Sequence, residues 1–447
     1  MRPTRRFTTL SLATVCAFAA LGTAAAPVAA AGHIYVVTSV GDKRDRSTGD
    51  GVCDTTASSA TTDCTLRAAI SEANADSAAD VIRFAISAGK DKVKTISPHA
   101  GLPVIREPLT IDGYTQAGAI ANSSAPATNA RLRIVIDGSN ANGVPGLQAQ
   151  ARVTIRGLVI SRFGRGIQLS EGSDGSRIMG DFIGTDVNGK LDRGNASSGI
   201  LVNAANVRIG SIARVDRNLI SGNGSAGIDL GIAAQDTLVQ ANLIGTNRSA
   251  VAALGNSGDG IFVTGSSGHI IGGEFTGQGN VIAFNGGAGV DLLTVSSGSL
   301  GTLVPTGVQV LANSISHNAG VGIDLGANGA TPNDPVPDSD KGPNRLQNFP
   351  KLDSAVAAGG DTVIKGRLAS RRSVRYEVQL FQSSAGDPEG RAYLGSVTVT
   401  TGSDGKASFS FHAGAALFPG TIITSTATDQ SRLDTSEFGP SRTVTAH

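Results

Sequence analysis

Three aspartates at one position of a repeated tetrapeptide are the residues whose type and spacing best suit chemistry. Asp229, Asp291 and Asp324 each stand third in a Gly-Ile/Val-Asp-Leu sequence. Two carboxylates flanking a glycosidic bond can perform hydrolysis, and carboxylates also bind calcium. The tetrapeptide pattern occurs six times, and the third residues of its copies are Gln168, Leu201, Asp229, Phe262, Asp291 and Asp324.

The spacing of these copies predicts a solenoid. Alternate copies begin at Gly166, Gly227 and Gly289 and at Gly199, Gly260 and Gly322, so each series repeats after 61 and then 62 residues. A period held this closely indicates stacked units, here double units of two related coils. Strand side chains alternate, so Ile and Leu share one face while the third residue faces outward. The predicted architecture is an all-β parallel β-helix.

Stacking decides which carboxylates can cooperate. Asp229 and Asp291 are predicted two coils apart, about 10 Å at a rise of roughly 4.8 Å per coil, which is too far for a retaining pair. Asp291 and Asp324 fall on neighbouring coils and are the catalytic candidates. Asp229, Phe262, Asp291 and Asp324 form the candidate ligand-binding face. The interpretation we favour is that the aspartates are solvated or bind turn amides.

A second repeated element consists of Asn, one variable residue and Ile. An Asn amide can donate to the Asn of the next coil and accept from the previous one, which forms a ladder along the stack. We interpret these residues as structural: Asn218, Asn242, Asn280 and Asn313.

Residues 1–31 have the composition of a secretory signal peptide. Arg2, Arg5 and Arg6 precede an apolar stretch, and small residues near Ala26 or Ala31 suit cleavage. The apolar stretch is short for a bilayer span. Export, by the general secretory or the twin-arginine route, makes the protein secreted or surface-located, with no membrane span.

Residues 32–78 are predicted to cap the first coil. Cys53 and Cys64 remain after signal removal, and in an oxidising compartment a disulfide is the expected state. Free thiols or a metal site are the alternatives, and no His lies nearby to support the latter. The segment after Cys64 has helical periodicity, with Thr65 as N-cap, and would cover the open apolar end of the solenoid.

This cap also carries a family resemblance. Cys64-Thr-Leu-Arg67-Ala-Ala69 resembles the Cys-Ser-Leu-Arg-Glu-Ala motif of CSLREA-domain proteins, with Thr65 in place of Ser and Ala68 in place of Glu. Those are exported bacterial proteins in which the motif precedes right-handed parallel β-helix repeats of the pectin-lyase-like type. The resemblance implies that fold and no established activity, and any role of the family Glu does not carry over to Ala68.

The β-helix is predicted over residues 79–330. Its first, less regular coils contain strand-like runs such as 153–160. Ile111-Asp-Gly113 and Ile136-Asp-Gly138 are 25 residues apart, close to one coil, and we interpret them as equivalent positions of one repeating unit.

The C-terminal quarter of the chain lacks the repeated sequences and has a different pattern of residues. Residues 331–345 form a Pro- and Asp-rich linker. Asp338 and Asp340 in it are candidates for binding calcium as a cofactor, and a solvated acidic linker is the favoured alternative. Residues 346–447 contain short runs of alternating polarity, which predict an antiparallel, Ig-like β-sandwich.

Charge and the regularity of the repeat restrict the classes of function to be expected. The net charge of +1 argues against a nucleic-acid partner. An enzyme would be expected to interrupt its repeat with a local acid–base cluster, whereas this repeat stays regular. We therefore predict a monomeric, non-catalytic protein that binds a polysaccharide, cell-surface glycan or other surface ligand. The alternative is a lyase or hydrolase acting on acidic polysaccharide.

Overall fold

A computed structural model describes residues 32–56, 63–87, 89 and 92–446 of the chain. The predicted signal peptide, residues 1–31, lies outside the described residues. No helix within the described ranges is both long and apolar enough to cross a lipid bilayer.

The chain forms a right-handed parallel β-helix followed by a β-sandwich, which confirms the predicted fold. Three parallel sheets run along the β-helix, and each regular coil gives one strand to each sheet. Sheet A contains Ile34–Val37, Asp80–Phe84, Leu109–Asp112, Val153–Arg156, Arg177–Met179, Arg208–Ile209, Leu238–Val239, Ile270–Gly272 and Gln309–Leu311. Sheet B contains Lys94–Ile96, Ile134–Asp137, Leu158–Ser161, Phe182–Ile183, Leu219–Ile220, Leu243–Ile244, Val281–Ala283 and Ser314–Ser316. Sheet C contains Pro145–Ala149, Arg165–Leu169, Ile200–Val202, Ile228–Leu230, Ile261–Thr264, Val290–Leu293 and Ile323–Leu325.

The repeated tetrapeptide builds sheet C. Its second residues stack in register inside the solenoid and are at most 2% exposed: Ile167, Ile200, Ile228, Ile261, Val290 and Ile323. Each such burial contributes about 1.5–3 kcal/mol. The glycine is required because the coils approach closely. A Cβ on Gly260 would lie 2.6 Å from the Gly289 carbonyl oxygen and 2.4 Å from Ile282 Cγ2.

The first coils differ from the sequence interpretation in two places. Ile111 lies in sheet A and Ile136 in sheet B, so their shared Ile-Asp-Gly sequence does not mark equivalent positions. In both, the Asp side chain caps a short 3-10 turn, Gly113–Thr115 or Gly138–Asn140. The run 153–160 is also divided between sheets A and B, because Gly157 turns the chain with φ 74°.

The helix Leu66–Ala73 covers the apolar end of the first coil. Thr65 caps it by accepting from the Ala68 N–H, and Leu66, Ala69, Ile70 and Ala73 are buried. Its neighbour Arg67 donates to Asp42 and to the carbonyl oxygens of Ala100 and Gly101. Ala68 is fully buried, so the glutamate of the family motif would have to be accommodated in the core.

A disulfide closes the segment that precedes this helix. Cys53 and Cys64 are bonded, as predicted, with their Cα atoms 5.2 Å apart. The buried Glu72 of the helix accepts from the backbone N–H groups of Gly49 and Gly51 in the same region. The cap is therefore tied together covalently and by hydrogen bonds.

The C-terminal sandwich consists of two mainly antiparallel sheets with a shared core. One sheet contains Lys406–His412, Asp361–Ala369, Lys351–Ala358 and Thr445–Ala446. The other contains Asp387–Thr400, Arg375–Ser384, Ile422–Asp429 and Asp434–Thr435, with Arg442–Thr443 beside Ile422–Asp429. Ile364 and Phe409 of the first sheet pack with Tyr376, Val378 and Ile423 of the second.

The sandwich docks onto the last coil. Phe438 and Leu346 pack against the β-helix core. The buried carboxylate of Glu437 accepts from the backbone N–H of Leu325 at 2.9 Å and of Thr331 at 2.7 Å. The apolar C-terminal end of the solenoid is thus covered by the sandwich. Outside these units, the hairpin Val295–Ser297 and Gly301–Leu303 extends from the loop after Val290–Leu293, and Arg214–Asp216 and Pro343–Leu346 are 3-10 turns.

Candidate functional site

The outer face of sheet C carries the row of residues expected from the tetrapeptide. Strand pairing places them directly beside one another in the order Gln148, Gln168, Leu201, Asp229, Phe262, Asp291 and Asp324. Phe262 separates Asp229 from Asp291, whereas Asp291 and Asp324 are neighbours. The structure therefore brings together the two catalytic candidates and keeps Asp229 two coils from Asp291.

A loop closes over the two neighbouring aspartates. After the strand Ile323–Leu325 the chain turns back, with Ala327 at φ 57°. The Asp324 carboxylate accepts from the backbone N–H of Asn328 at 3.2 Å and of Gly329 at 2.9 Å. Asp291 and Asp324 are only 6% and 7% exposed. Asp324 therefore binds turn amides, and the loop leaves little room for a sugar between the two carboxylates.

Asp291 is electrostatically the most unusual group of this face. Its pKa is raised to about 7, chiefly by burial and also by the nearby carboxylates of Asp259 and Asp324, while the backbone N–H of Ala327 opposes the shift. Its Oδ1 is buried without a hydrogen-bond partner. Asp291 can therefore carry a proton near neutral pH, as a general acid must, but its burial keeps it from a polymeric substrate.

The other half of the row is more accessible. Asp229 and Phe262 are half-buried and adjacent on the outer face. Burial raises the pKa of Asp229, and Arg165 opposes that shift. Arg165 donates to Ser198 and to Gln168, so it crosses between neighbouring coils. Amide, carboxylate, guanidinium and aromatic groups here form a flat polar surface suited to binding, with no acid–base pair.

A large cleft lies where the last coil meets the sandwich. Its volume is about 1160 Å³, and its walls include Asp324 and the segment that follows it. Ligand sites are typically concave, largely apolar and placed at domain interfaces. Three aromatic rings contribute to the lining: Phe284 from the β-helix and Phe349 and Phe438 from the C-terminal part.

Polar groups are placed among these rings. The His317 ring stacks on Phe284 with centroids 5.2 Å apart, and its Nδ1 lies 3.3 Å from Asp387 Oδ2. Glu389 accepts from the backbone and side-chain N–H groups of Asn318, and burial raises its pKa to about 8. The cleft therefore combines aromatic surfaces with carboxyl, imidazole and amide groups.

Sequence reasoning missed this cleft for an identifiable reason. Its walls come from residues between 284 and 440, and most of them lie outside the repeated sequences. Asp324 is the residue of the lining that the sequence predicts as a site residue, because of its place in the tetrapeptide. An available signal was the loss of the repeat after Gly322, which marks the end of the solenoid and hence a surface that needs covering.

The predicted asparagine row forms a chain of side-chain hydrogen bonds beside sheet B. The bonds run from Asn218 Nδ2 to Asn242 Oδ1 at 2.8 Å, from Asn242 to Asn280 at 3.0 Å and from Asn280 to Asn313 at 2.9 Å. A second row, beside sheet C, was not predicted. It consists of Asn195, Asn223, Asn256, Asn285 and Asn318, with steps of 2.8–2.9 Å. The recurrence of Gly194-Asn195 as Gly255-Asn256 was its signal.

The calcium candidates lie at the junction with the sandwich. The buried Asp338 carboxylate accepts from the Ser370 hydroxyl at 2.6 Å and from the Asn348 N–H at 3.1 Å. Asp340 is only half-buried, and burial and Asp334 raise its pKa. Asp338 thus holds the preceding segment against the sandwich, and calcium binding here stays a prediction.

Comparisons with known proteins assign the chain to no family. No model of a known protein family matches the sequence, and no curated protein matches it. Among solved structures, the chain is similar to full-length tailspike protein 2 from Escherichia coli O157:H7 bacteriophage CAB120, with 10% sequence identity and a TM-score of 0.24. The match covers 82% of this chain and 58% of the tailspike chain.

Proposed function

We propose that this chain is an exported, non-catalytic β-helix protein that binds a glycan, with the cleft as its principal site. The observation that carries the proposal is the placement of Phe284, Phe349 and Phe438 around polar groups in one cleft of about 1160 Å³. The Cys53–Cys64 disulfide supports an extracellular location, since such bonds persist in oxidising compartments.

The chemistry of the lining favours a neutral glycan. A sugar ring has apolar C–H faces, which pack on aromatic rings, and hydroxyl groups, which exchange hydrogen bonds with carboxylates and imidazole. Acidic side chains line the cleft, those of Asp324, Asp387, Glu389 and Glu437, and its lining among the described residues contains no Lys or Arg that would attract a polyanion. The row at Asp229 and Phe262 is a second contact area in this proposal, on the adjoining outer face of sheet C.

Catalysis is the second candidate, since the raised pKa of Asp291 beside Asp324 is what an acid–base pair requires. Burial of both residues beneath the 326–329 loop argues against it.

The test is a glycan array followed by titration calorimetry with the best neutral oligosaccharide. Phe284→Ala should weaken binding about tenfold, or about 1.4 kcal/mol, because it removes one aromatic wall. Phe418→Ala is the matched control, since this ring is 85% exposed and is not part of the cleft lining.

Two outcomes would contradict the proposal. Unchanged affinity in Phe284→Ala combined with weaker binding in Phe262→Ala would move the site to the sheet C row. Release of reducing ends or unsaturated uronates from pectin, alginate or host glycans, abolished by Asp291→Asn or Asp324→Asn, would make the protein an enzyme.

A further inference from the structure

Three potential metal ligands converge at the N-terminal end of the β-helix. They are His33, Asp76 and Asp80, and within the described part of the chain they form the one group of three or more His, Cys, Asp or Glu side chains whose ligand atoms all lie within 4.8 Å of one another. His33 Nδ1 is 3.2 Å from Asp76 Oδ2 and 3.7 Å from Asp80 Oδ1.

The fold of the first coil fixes this geometry. Pairing of Ile34 with Val81 in sheet A places His33 beside Asp80, and the His33 N–H donates to Asp80 Oδ1 at 2.6 Å. Asp76 lies in the turn after the capping helix, where its Oδ1 accepts from the Ala78 N–H at 2.7 Å. Its Oδ2 is thereby directed at the imidazole. The Asp76 side chain is thus oriented by a hydrogen bond made through its other carboxylate oxygen, as is common for carboxylates around metals.

Asp80 provides an independent observation that points to a missing partner. Its side chain is 0% exposed, and its Oδ2 is buried with no hydrogen-bond partner. A buried carboxylate with an unpaired oxygen is costly unless a cation or donor satisfies it.

We propose that His33, Asp76 and Asp80 bind a divalent transition-metal ion, for which Zn²⁺ is the natural probe. Ligands about 2.0–2.1 Å from a tetrahedral zinc lie about 3.3 Å apart, so the observed 3.2 Å and 3.7 Å separations need little adjustment. An imidazole nitrogen among the donors favours zinc-like ions over calcium or magnesium. His33 and Asp76 are half-exposed, which leaves the remaining position for water.

A bound ion would join three separate segments of the cap. His33 precedes the first strand of sheet A, Asp80 begins the second, and Asp76 belongs to the turn after the helix. The ion would hold the edge strand Ile34–Val37 in place without touching the cleft. The site is therefore independent of the proposed glycan binding.

The experiment uses the exported chain without a polyhistidine tag, stripped with a chelator and titrated calorimetrically with Zn²⁺. One ion should bind per chain, and Zn²⁺ should raise the melting temperature, whereas Mg²⁺ should do neither. Substituting Co²⁺ should give the visible absorption of a low-symmetry site, which a simple His33–Asp76 ion pair cannot give.

Two variants locate the site. Asp76→Asn keeps an acceptor for the Ala78 N–H. Both Asp76→Asn and His33→Ala should lower the affinity for Zn²⁺ at least about tenfold, since changes outside the ligands themselves already cost that much at metal sites. His412→Ala is the matched control, because His412 faces a single carboxylate, that of Asp361 at 2.7 Å. Equal melting temperatures in chelator would show that Asp76→Asn is folded. The proposal is overturned if Zn²⁺ does not bind at millimolar concentration, or binds equally well to both site variants.

Discussion

The carboxyl group of Asp291 lies among groups that oppose its charge. It is buried on the outer face of sheet C, flanked in register by Phe262 and Asp324, and Asp259 is close enough to raise its pKa. A single substitution can therefore separate an electrostatic role from a catalytic one. If the group only fills its place beneath the loop, neutralising it should stabilise the protein at alkaline pH.

Asp291→Asn should raise the free energy of unfolding by about 1–2 kcal/mol at pH 8, because it removes a buried charge. The folded-state pKa is raised from 3.8 to about 7. The native protein therefore holds this proton more tightly than the unfolded chain does. The stabilisation it provides is complete below about pH 4 and is lost as pH rises through about 7. The variant should accordingly differ little from wild type at pH 4.

Urea unfolding at pH 4 and pH 8 measures this difference. Asp353→Asn is the control, since its carboxylate is 43% exposed and faces Arg367 on the surface. Loss of stability in Asp291→Asn at pH 8 would show that the ionised carboxylate is required by the fold.

The asparagine rows show how a coil is held to its neighbours beyond the backbone ladder. Asn242 is fully buried, accepts from Asn218 and donates to Asn280 and, through the same amide, to the Ile209 carbonyl oxygen. Each member thus satisfies polar groups on both adjoining coils. Removal of an interior member leaves several of them unpaired in the core.

Asn242→Ala should lower the free energy of unfolding by about 2–4 kcal/mol. Asn140→Ala is the matched control, because Asn140 is exposed and lies outside the rows. Chemical denaturation of both variants measures the difference. Similar stability of the two would mean that the row adds nothing to the sheet hydrogen bonds.

The β-helix and the sandwich share one interface, so the molecule should unfold as a coupled unit. Glu437 supplies part of this coupling through its bonds to Leu325 and Thr331, and burial raises its pKa. Phe438 adds apolar contact, since its ring lies against Gly322, where a Cβ would approach within 2.7 Å.

Glu437→Ala should lower the free energy of unfolding by about 2–3 kcal/mol, because the buried N–H of Leu325 and the partly buried N–H of Thr331 lose their acceptor. It should also separate the calorimetric transition into two, with the sandwich and the β-helix melting apart. Glu171→Ala, in an exposed turn, should leave a single transition. A single unshifted transition in Glu437→Ala would show that the hydrogen bonds of Glu437 add nothing to the coupling.

The features of this structure that the sequence predicts are those that repeat along the chain. Ile228 and Leu230 lie beside equivalent residues of the coils above and below. The repeated pattern therefore predicts both their burial and their register. The loop over Asp291 and Asp324 occurs once, and nothing in the tetrapeptide signals it. The cleft and the group of His33, Asp76 and Asp80 depend on segments that meet only after folding. Contacts that recur in every coil can be predicted from the sequence, whereas contacts made once at the two ends of the solenoid cannot.

The second asparagine row has a direction, and its ends differ. In each step between two asparagines of this row, the Nδ2 donates to the Asn of the next coil toward the C-terminal end. The last amide, that of Asn318, has no further coil to receive this donation. Glu389 of the sandwich accepts from Asn318 instead. A solenoid whose last coil left such donors free would offer the first coil of another molecule a site for end-to-end addition. The sandwich therefore occupies the surface of the last coil that such an addition would need.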